Sequence, residues 1–478
     1  MQPSLLYLFH IFAPLYRFLL DNLKTVWNNK GMKGSKEKKR PKIRKHLNAD
    51  ALYATVRQCF EKVNDPRHGN GSISIPDALM SAFAMFSLKD PSLLAFDKRR
   101  NEEPENLHTI YGIENIPCDT TMREILDEIP SQEIRHAFKD VFRQVQRGKA
   151  LEPFVYMDGC YLLALDGTGY FSSEKLHSEF CLEKKSSKTG KITYYLQMLG
   201  GAIIHPDFKE VIPLPPEVIS KQDGETKNDC ERNAAKRFCQ KIHKDHPHMK
   251  FIVTEDALSP NAPHIQELKR HGYHFILSVK PGDHEFLFQY FEQAMQNGKA
   301  LEFTIEDPGN HKVVHKFRFC NDLPLNASHQ DLKVNILEHW EITDKKIKHF
   351  CWVTDFTITQ QNAFQIMKGG RARWKIENET FNTLKNQGYH LEHNFGLGKN
   401  YLSMNFVMLM MLAFLVDQVQ QLCCALFRAV WKKLGSKRAL WERIRHLFHG
   451  FKMDSMETIY RAMLNGFVRL CPIIHDTS

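Results

Sequence analysis

The order of apolar runs between Tyr161 and Val279 constrains the fold of this 478-residue chain most. The first run, Tyr161 to Asp166, is almost entirely apolar and ends in an acid, which is typical of a buried strand. Further segments with strand or helix periodicity follow at residues 193–205 (strand), 209–214 (strand), 231–243 (helix), 251–256 (strand), 261–271 (helix) and 273–279 (strand). Three sequential strands followed by helical crossovers predict an α/β fold with a mixed sheet flanked by helices.

Three acids stand out against this pattern. Asp166 and Asp256 end the first and fourth predicted strands, and they would face each other at one sheet edge if those strands are neighbours. A helix predicted over 371–385 carries Glu377 on the same face as apolar residues, at about 100° per residue. A carboxylate in an apolar stripe requires a cation, which Arg373, Lys385 or a divalent ion would provide.

The remaining segments suggest the layout of the chain. Residues 49–150 show helical periodicity and predict an all-α N-terminal domain, whereas residues 301–356 show strand periodicity and predict an antiparallel β insertion. The predicted divisions are 1–48 (apolar segment and basic linker), 49–150 (helical domain, possible DNA binding), 151–300 (first part of the core), 301–356 (β insertion), 357–400 (core helix with the third acid) and 401–478 (C-terminal helices).

Composition narrows the class of protein. The net charge of +10 favours a polyanionic partner such as nucleic acid, although an ordinary basic enzyme is the alternative. Eleven scattered cysteines without a C-x-x-C pair argue against a disulfide framework and indicate a reducing cytoplasm. The apolar segment Leu5 to Leu20 is interrupted by His10, Pro14 and Arg17, so a membrane anchor is the minority interpretation and no stable membrane partner is expected.

The three acids together indicate a metal site. Two aspartates and one glutamate supply hard oxygen ligands, which suit Mg²⁺ or Mn²⁺ better than zinc. Two such ions activate an oxygen nucleophile and stabilise the leaving oxygen of a phosphodiester. Taken singly, each acid has an ordinary explanation: Asp166 in a turn, Asp256 as a helix cap, and Glu377 as half of an ion pair.

Three segments carry a family resemblance. LDGTGYFSS from Leu165, TEDALSPNAPHIQEL from Thr254 and RWKIENETFNTLK from Arg373 resemble the three acidic motifs of insertion-sequence DDE transposases, of the class with a β-strand insertion before the third acid. The resemblance covers about residues 150 to 400. It implies a ribonuclease-H-like core, Asp166, Asp256 and Glu377 as catalytic ligands of two Mg²⁺ or Mn²⁺ ions, and cleavage and transfer of DNA strands.

The resemblance also implies DNA contacts. The class has a Tyr, Arg, Glu, Lys signature around the third acid; Arg373 matches it, Gly370 stands at the Tyr position, and Lys385 lies one residue late. Arg373, Lys385 and Lys280 are the candidate DNA-binding residues. The expected protein is a prokaryotic, cytoplasmic, nucleoid-associated transposase that binds double-stranded DNA as a homodimer or larger assembly. A catalytically inactive or domesticated DNA-binding derivative is the alternative.

Three further groups of acidic or histidine residues are weaker candidates for site residues. Asp355 is a rival third acid, at the end of a predicted strand but without a helix or basic flanks. The acids Asp223, Asp229 and Glu231 are interpreted as a solvated helix start, where acids suit the helix dipole. Histidines 243, 246 and 248 are interpreted as solvated rather than as a metal cluster.

Overall fold

The computed structural model describes residues 45–67, 71–221, 230–256, 259–466 and 471–472. The predicted segment Leu5 to Leu20, nearly all of the basic run from Lys33, and Asp223 and Asp229 lie outside these residues. The described residues belong to one compact unit.

The sheet of the first half runs through five strands in the order β4-β3-β1-β5-β6. Strands β3 and β4 are antiparallel to their neighbours, and β5 and β6 are parallel to β1. A short strand, β2, also pairs with β3. Their bounds are β1 Tyr161–Ser173, β2 Leu182–Lys185, β3 Ile192–Ile204, β4 Ile212–Ile219, β5 Phe251–Thr254 and β6 His274–Ser278. The predicted α/β class with a mixed sheet flanked by helices is confirmed.

The β insertion extends this sheet instead of folding apart from it. Strand β10 pairs antiparallel with β6, and β9, β8 and β7 follow outward in antiparallel order. These strands are β7 Leu301–Asp307, β8 Asn310–Asn326, β9 His329–Ile342 and β10 Ile347–Thr354. The predicted antiparallel strands are therefore confirmed, and they continue one large sheet.

Helices precede, cover and follow the sheet. They are α1 Ala49–Phe60, α2 Ile75–Leu88, α3 Leu93–Glu102, α4 Pro104–Tyr111, α5 Asp119–Glu128, α6 Ser131–Arg147, α7 Glu231–Asp245, α8 Ala262–Arg270, α9 Glu285–Gln296, α10 Ala363–Ala372, α11 Asn382–Asn386, α12 Leu402–Cys423, α13 Ala425–Leu434, α14 Lys437–Gly450 and α15 Met456–Asn465. Between α10 and α11 the chain forms a π-helical segment, Ile376–Phe381.

The long helix α12 joins the N-terminal helices to the sheet. It packs against α2, α5 and α6 on one side and β4 on the other. Among the described residues it is the one helix long and apolar enough to span a membrane, yet 89% of its apolar window is buried inside the protein. Such burial is what the core helix of a soluble protein shows, and length and composition alone are weak evidence for a membrane span.

Several predicted bounds are wrong for physical reasons. Strand β4 runs past the predicted end because Pro213, Pro215 and Pro216 are tolerated where it pairs only with β3. Strand β1 continues seven residues beyond Asp166, so this acid lies inside a strand and not at its end. Asp256 follows β5 by two residues. Strand β2 and helix α9 were not predicted.

Candidate acidic site

The first two acids are brought together by the parallel pairing of β1 and β5. Ala164 pairs with Thr254, so Asp166 and Asp256 each lie two residues further along their strands. Because parallel strands advance at the same rate, this register carries both acids to the same end of the sheet. Both residues line one cavity of about 390 Å³.

The third acid is placed by a π turn that docks on a glycine. Phe381 packs over Gly200, where a Cβ atom would lie 2.6 Å from its ring. Gly200 is the residue of β3 that pairs with Asp166, so the π segment lies over Asp166. Glu377 precedes Phe381 by four residues and therefore reaches the same region. Single π turns within helices are frequent at functional sites.

The π turn overturns the predicted helical face. Trp374 is 49% exposed, whereas Ile376 and Thr380 are fully buried. The wider π turn shifts the phase of the residues that follow, so uniform steps of about 100° misplace them. Glu377 consequently keeps 39% of its side chain exposed and does not lie in an apolar stripe.

Arg373 joins Asp166 to Glu377. One guanidinium nitrogen donates to Asp166 Oδ2 at 3.1 Å and to Glu377 Oε1 at 3.2 Å. Burial raises the pKa of Asp166 to about 7, and the hydrogen-bonded Glu377 carboxylate adds to the shift although Arg373 opposes it. One cation is thus shared by two carboxylates, one of which is held close to neutrality.

Asp256 lies in a second acidic group, within the cavity. Glu231, at the start of α7, and the buried Glu255 line the cavity with it. Burial and the charges of Asp256 and Glu255 raise the pKa of Glu231. His264 Nε2 lies 2.7 Å from Glu255 Oε2, an ion pair whose angles fall outside hydrogen-bond geometry. Burial lowers the pKa of His264, but the charge of Glu255 outweighs it and the net shift is upward.

The two acidic groups reach β1 from opposite faces of the sheet. Asp166 pairs with Gly200, on the face covered by Phe381, whereas the next residue, Gly167, meets Glu231. Successive strand residues point to opposite faces, so the π segment and α7 lie on different sides of β1. Asp166 belongs to both groups, since it bonds Arg373 and lines the cavity.

The donor set fits a hard divalent cation. Carboxylate oxygens of Asp166, Asp256 and Glu377 are the ligand type of Mg²⁺ and Mn²⁺. Burial, with a smaller contribution from Glu377, raises the pKa of Asp166, and a bound cation would favour its charged form. In this structure the three carboxylates do not all converge within 4.8 Å. Within the described ranges, two other groups of potential ligands do: Glu338, His349 and Cys351, and Glu102, Glu103 and His449.

Neither predicted lysine pairs with Asp166 or Glu377. Lys385 pairs with Glu392 at 2.8 Å. Lys280 is exposed just after β6, and its backbone carbonyl begins the short turn that follows. Gly370, at the Tyr position of the signature, faces Trp352, whose Nε1 would lie 2.4 Å from a Cβ there. The indole of β10 thus fills the space that a side chain at residue 370 would need.

Two of the weaker candidates, Asp355 and His246, have structural contacts of their own. Asp355 accepts bonds from His274 Nδ1 at 2.8 Å and from the Phe275 amide at 3.1 Å, at the start of β6. It therefore closes a strand pairing and does not join the acids. His246 is buried against Phe142, and its burial lowers its pKa to about 4, so it is not solvated as predicted.

Sequence reasoning missed Glu231 and Glu255. Glu231 was interpreted as a solvated helix start, yet its carboxylate lies against Gly167. The signal available was a helix beginning with an acid at the same sheet end as two strand acids. Glu255 directly precedes Asp256; both follow the last residue of β5, and both line the cavity. No protein-family model and no curated protein matches the chain.

Proposed function

We propose that this chain is a metal-dependent DNA transposase that cuts and joins the ends of an insertion sequence. The observation that carries the proposal is Asp166, bonded through Arg373 to Glu377 and sharing a cavity with Asp256. The strand order β4-β3-β1-β5-β6, with only β5 and β6 parallel to β1, supports a ribonuclease-H-like core. The β insertion between the second and third acids and the basic net charge agree with it.

The proposed site works through carboxylates that hold one or two Mg²⁺ ions. Asp166, Asp256 and Glu377 would be the ligands. When bound, such ions activate a water or hydroxyl nucleophile and stabilise the leaving oxygen of a phosphodiester.

The chain's own residues orient these ligands. Arg373 fixes the Asp166 and Glu377 carboxylates relative to each other. The Phe381 ring on Gly200 holds the π segment over β1. Arg373 also offers its remaining guanidinium donors to a DNA phosphate, a planar geometry that suits phosphate oxygens.

The test is a cleavage assay with the purified full chain on DNA taken from both flanks of its gene. We expect Mg²⁺-dependent nicking at the element ends, followed by joining to a target plasmid. Asp166→Asn, Asp256→Asn and Glu377→Gln should each abolish both steps while binding of the same DNA persists. Asp355→Asn is the matched control, because Asp355 bonds the start of β6 instead of the site. Cleavage that survives loss of any of the three acids contradicts the proposal.

A catalytically inactive DNA-binding derivative is the second candidate. It is favoured by the altered signature, since Trp352 fills the space at Gly370 and Lys385 pairs with Glu392. Such a protein would bind the flanking DNA in a salt-dependent manner and show no cleavage with Mg²⁺ or Mn²⁺. The same assay therefore separates the two candidates.

A further inference from the structure

Glu231 occupies a position that the three acidic motifs do not assign. It is the first residue of α7 and lines the cavity that also contains Asp166, Asp256 and Glu255. Phe238, seven residues later on the same face of α7, packs on Gly201 of β3, where a Cβ would lie 2.2 Å from its ring. This contact fixes α7 against the sheet and so fixes the position of Glu231.

Gly167 makes room for the Glu231 carboxylate. A Cβ at residue 167 would lie 2.1 Å from Glu231 Oε1 and 2.5 Å from its carboxyl carbon. The backbone of β1, one residue after Asp166, therefore accepts this carboxylate only because residue 167 is glycine. A helix-start acid that points into solvent would not approach the backbone of a strand this closely.

Glu231 has no compensating partner among the described residues. Its carboxylate makes no hydrogen bond and no ion pair there, and Arg232, also on the cavity wall, does not pair with it. Independently, Glu255 Oε1 is buried in the same wall without a hydrogen-bond partner, on a side chain that is 4% exposed. Glu255 has an ion-pair partner, His264, on its other oxygen only. A half-buried carboxylate without a partner and a buried one with an open oxygen are both stabilised by a cation.

We infer that Glu231 is a further carboxylate ligand, which binds a divalent cation together with Asp256 on the α7 face of β1. The inference rests on the proposed function, because Asp256 is a ligand only if the acidic site holds metal. It adds a ligand that comes from neither a strand acid nor the π segment. Glu377 and Arg373 then serve the opposite face, and Asp166 lies between the two.

The test measures Mn²⁺ binding to the full chain by isothermal titration calorimetry, without DNA and without a turnover readout. Glu231→Gln should weaken Mn²⁺ affinity by about tenfold or more, the scale seen when groups around a metal site are removed. Glu285→Gln is the matched control: Glu285 also begins its helix, also follows an N-cap residue that makes no side-chain cap bond, and lies outside the cavity lining. It should leave Mn²⁺ affinity unchanged.

Gly167→Ala provides a second, independent perturbation. The three atoms nearest to the added methyl all belong to the flexible side chain of Glu231, so the chain should fold while the carboxylate is displaced. Mn²⁺ affinity should fall as it does in Glu231→Gln, and combining both changes should cause no further loss, because they remove the same interaction. Thermal unfolding of each variant confirms that it is folded.

Asp256→Asn separates the possible failures. If Asp256→Asn weakens Mn²⁺ binding and Glu231→Gln does not, Glu231 is only a helix-start acid and this inference is wrong, while the proposed function stands. If neither substitution changes Mn²⁺ binding, the cation site itself is absent and both proposals fail.

Discussion

Two carboxylates on this chain meet cations in opposite ways. Asp417, in α12, is fully buried and pairs with the equally buried Lys89 at 2.6 Å. Lys89 also donates to the carbonyls of Phe86 and Ser87, both at 3.1 Å. Tyr389 and Gln420 donate to Asp417. Every charge in this network is hydrogen-bonded, and the network ties the N-terminal helices to the C-terminal ones.

Asp166 lies in an environment with too little positive charge. It shares Arg373 with Glu377. The cavity on its other side is lined by three further acids, Asp256, Glu231 and Glu255, and by two bases, Arg232 and His264. Burial raises the pKa of Asp417 as well, but there Lys89 and the tyrosine offset much of the cost. A buried ion pair whose charges are all hydrogen-bonded, such as Asp417 with Lys89, has a structural role. Carboxylates that outnumber their neighbouring cations indicate a site for an external cation.

The largest expected effect comes from breaking the saturated pair. Asp417→Ala leaves the Lys89 ammonium buried without its counter-charge, which should lower the free energy of unfolding by about 3–5 kcal/mol. Urea denaturation followed by circular dichroism measures it. The double variant Lys89→Met with Asp417→Leu should recover most of the loss, because neither charge is then left alone. Asp166→Asn, in the other environment, should not be destabilising, and equal losses at both sites would contradict the comparison.

A pH dependence distinguishes the two environments next. The pKa of Asp166 is about 7 in the folded chain and near 3.8 in the unfolded chain, so the native state binds more protons between these values. Stability from this group is fully present below the unfolded pKa and is lost as pH rises through the folded pKa. Without divalent cations, wild type should lose up to about 1 kcal/mol per pH unit across this window relative to Asp166→Asn. Parallel stability curves for the two proteins from pH 4 to pH 7 would contradict the assigned shift.

The order of elements was accessible from sequence because the apolar runs had distinct periods. The run at 251–256 was predicted to within two residues of β5, and residues 301–356 were predicted as antiparallel strands, since continuous or alternating apolar patterns describe strands directly. Strand β4 was cut short because its prolines are tolerated only where no second partner pairs with the strand, a fact of tertiary structure.

The candidate site was predicted in part. Sequence selected Asp166, Asp256, Glu377 and Arg373, and the structure joins Asp166 to Glu377 through Arg373 and to Asp256 through the cavity. The π turn was not predictable, because it depends on Phe381 fitting over Gly200 of a strand far away in sequence. Glu231 was missed for the same reason, as its contact with Gly167 exists only after α7 has packed on β3.

The smallest expected effect on stability concerns a surface ion pair, Lys385 with Glu392, which is a third environment beside those of Asp417 and Asp166. Lys385 pairs with Glu392, whose side chain is 65% exposed, and such pairs are worth at most about 1 kcal/mol. Lys385→Ala should therefore leave the free energy of unfolding almost unchanged, as should Lys149→Ala, which breaks a pair with Glu152 that is exposed on both sides. The two variants should differ in DNA binding. If Lys385 contacts a phosphate, its loss weakens binding equally for all sequences and reduces the slope of log affinity against log salt by about 1. An unchanged salt slope in Lys385→Ala would remove Lys385 from the DNA-binding residues and leave Arg373 as the cation of the signature.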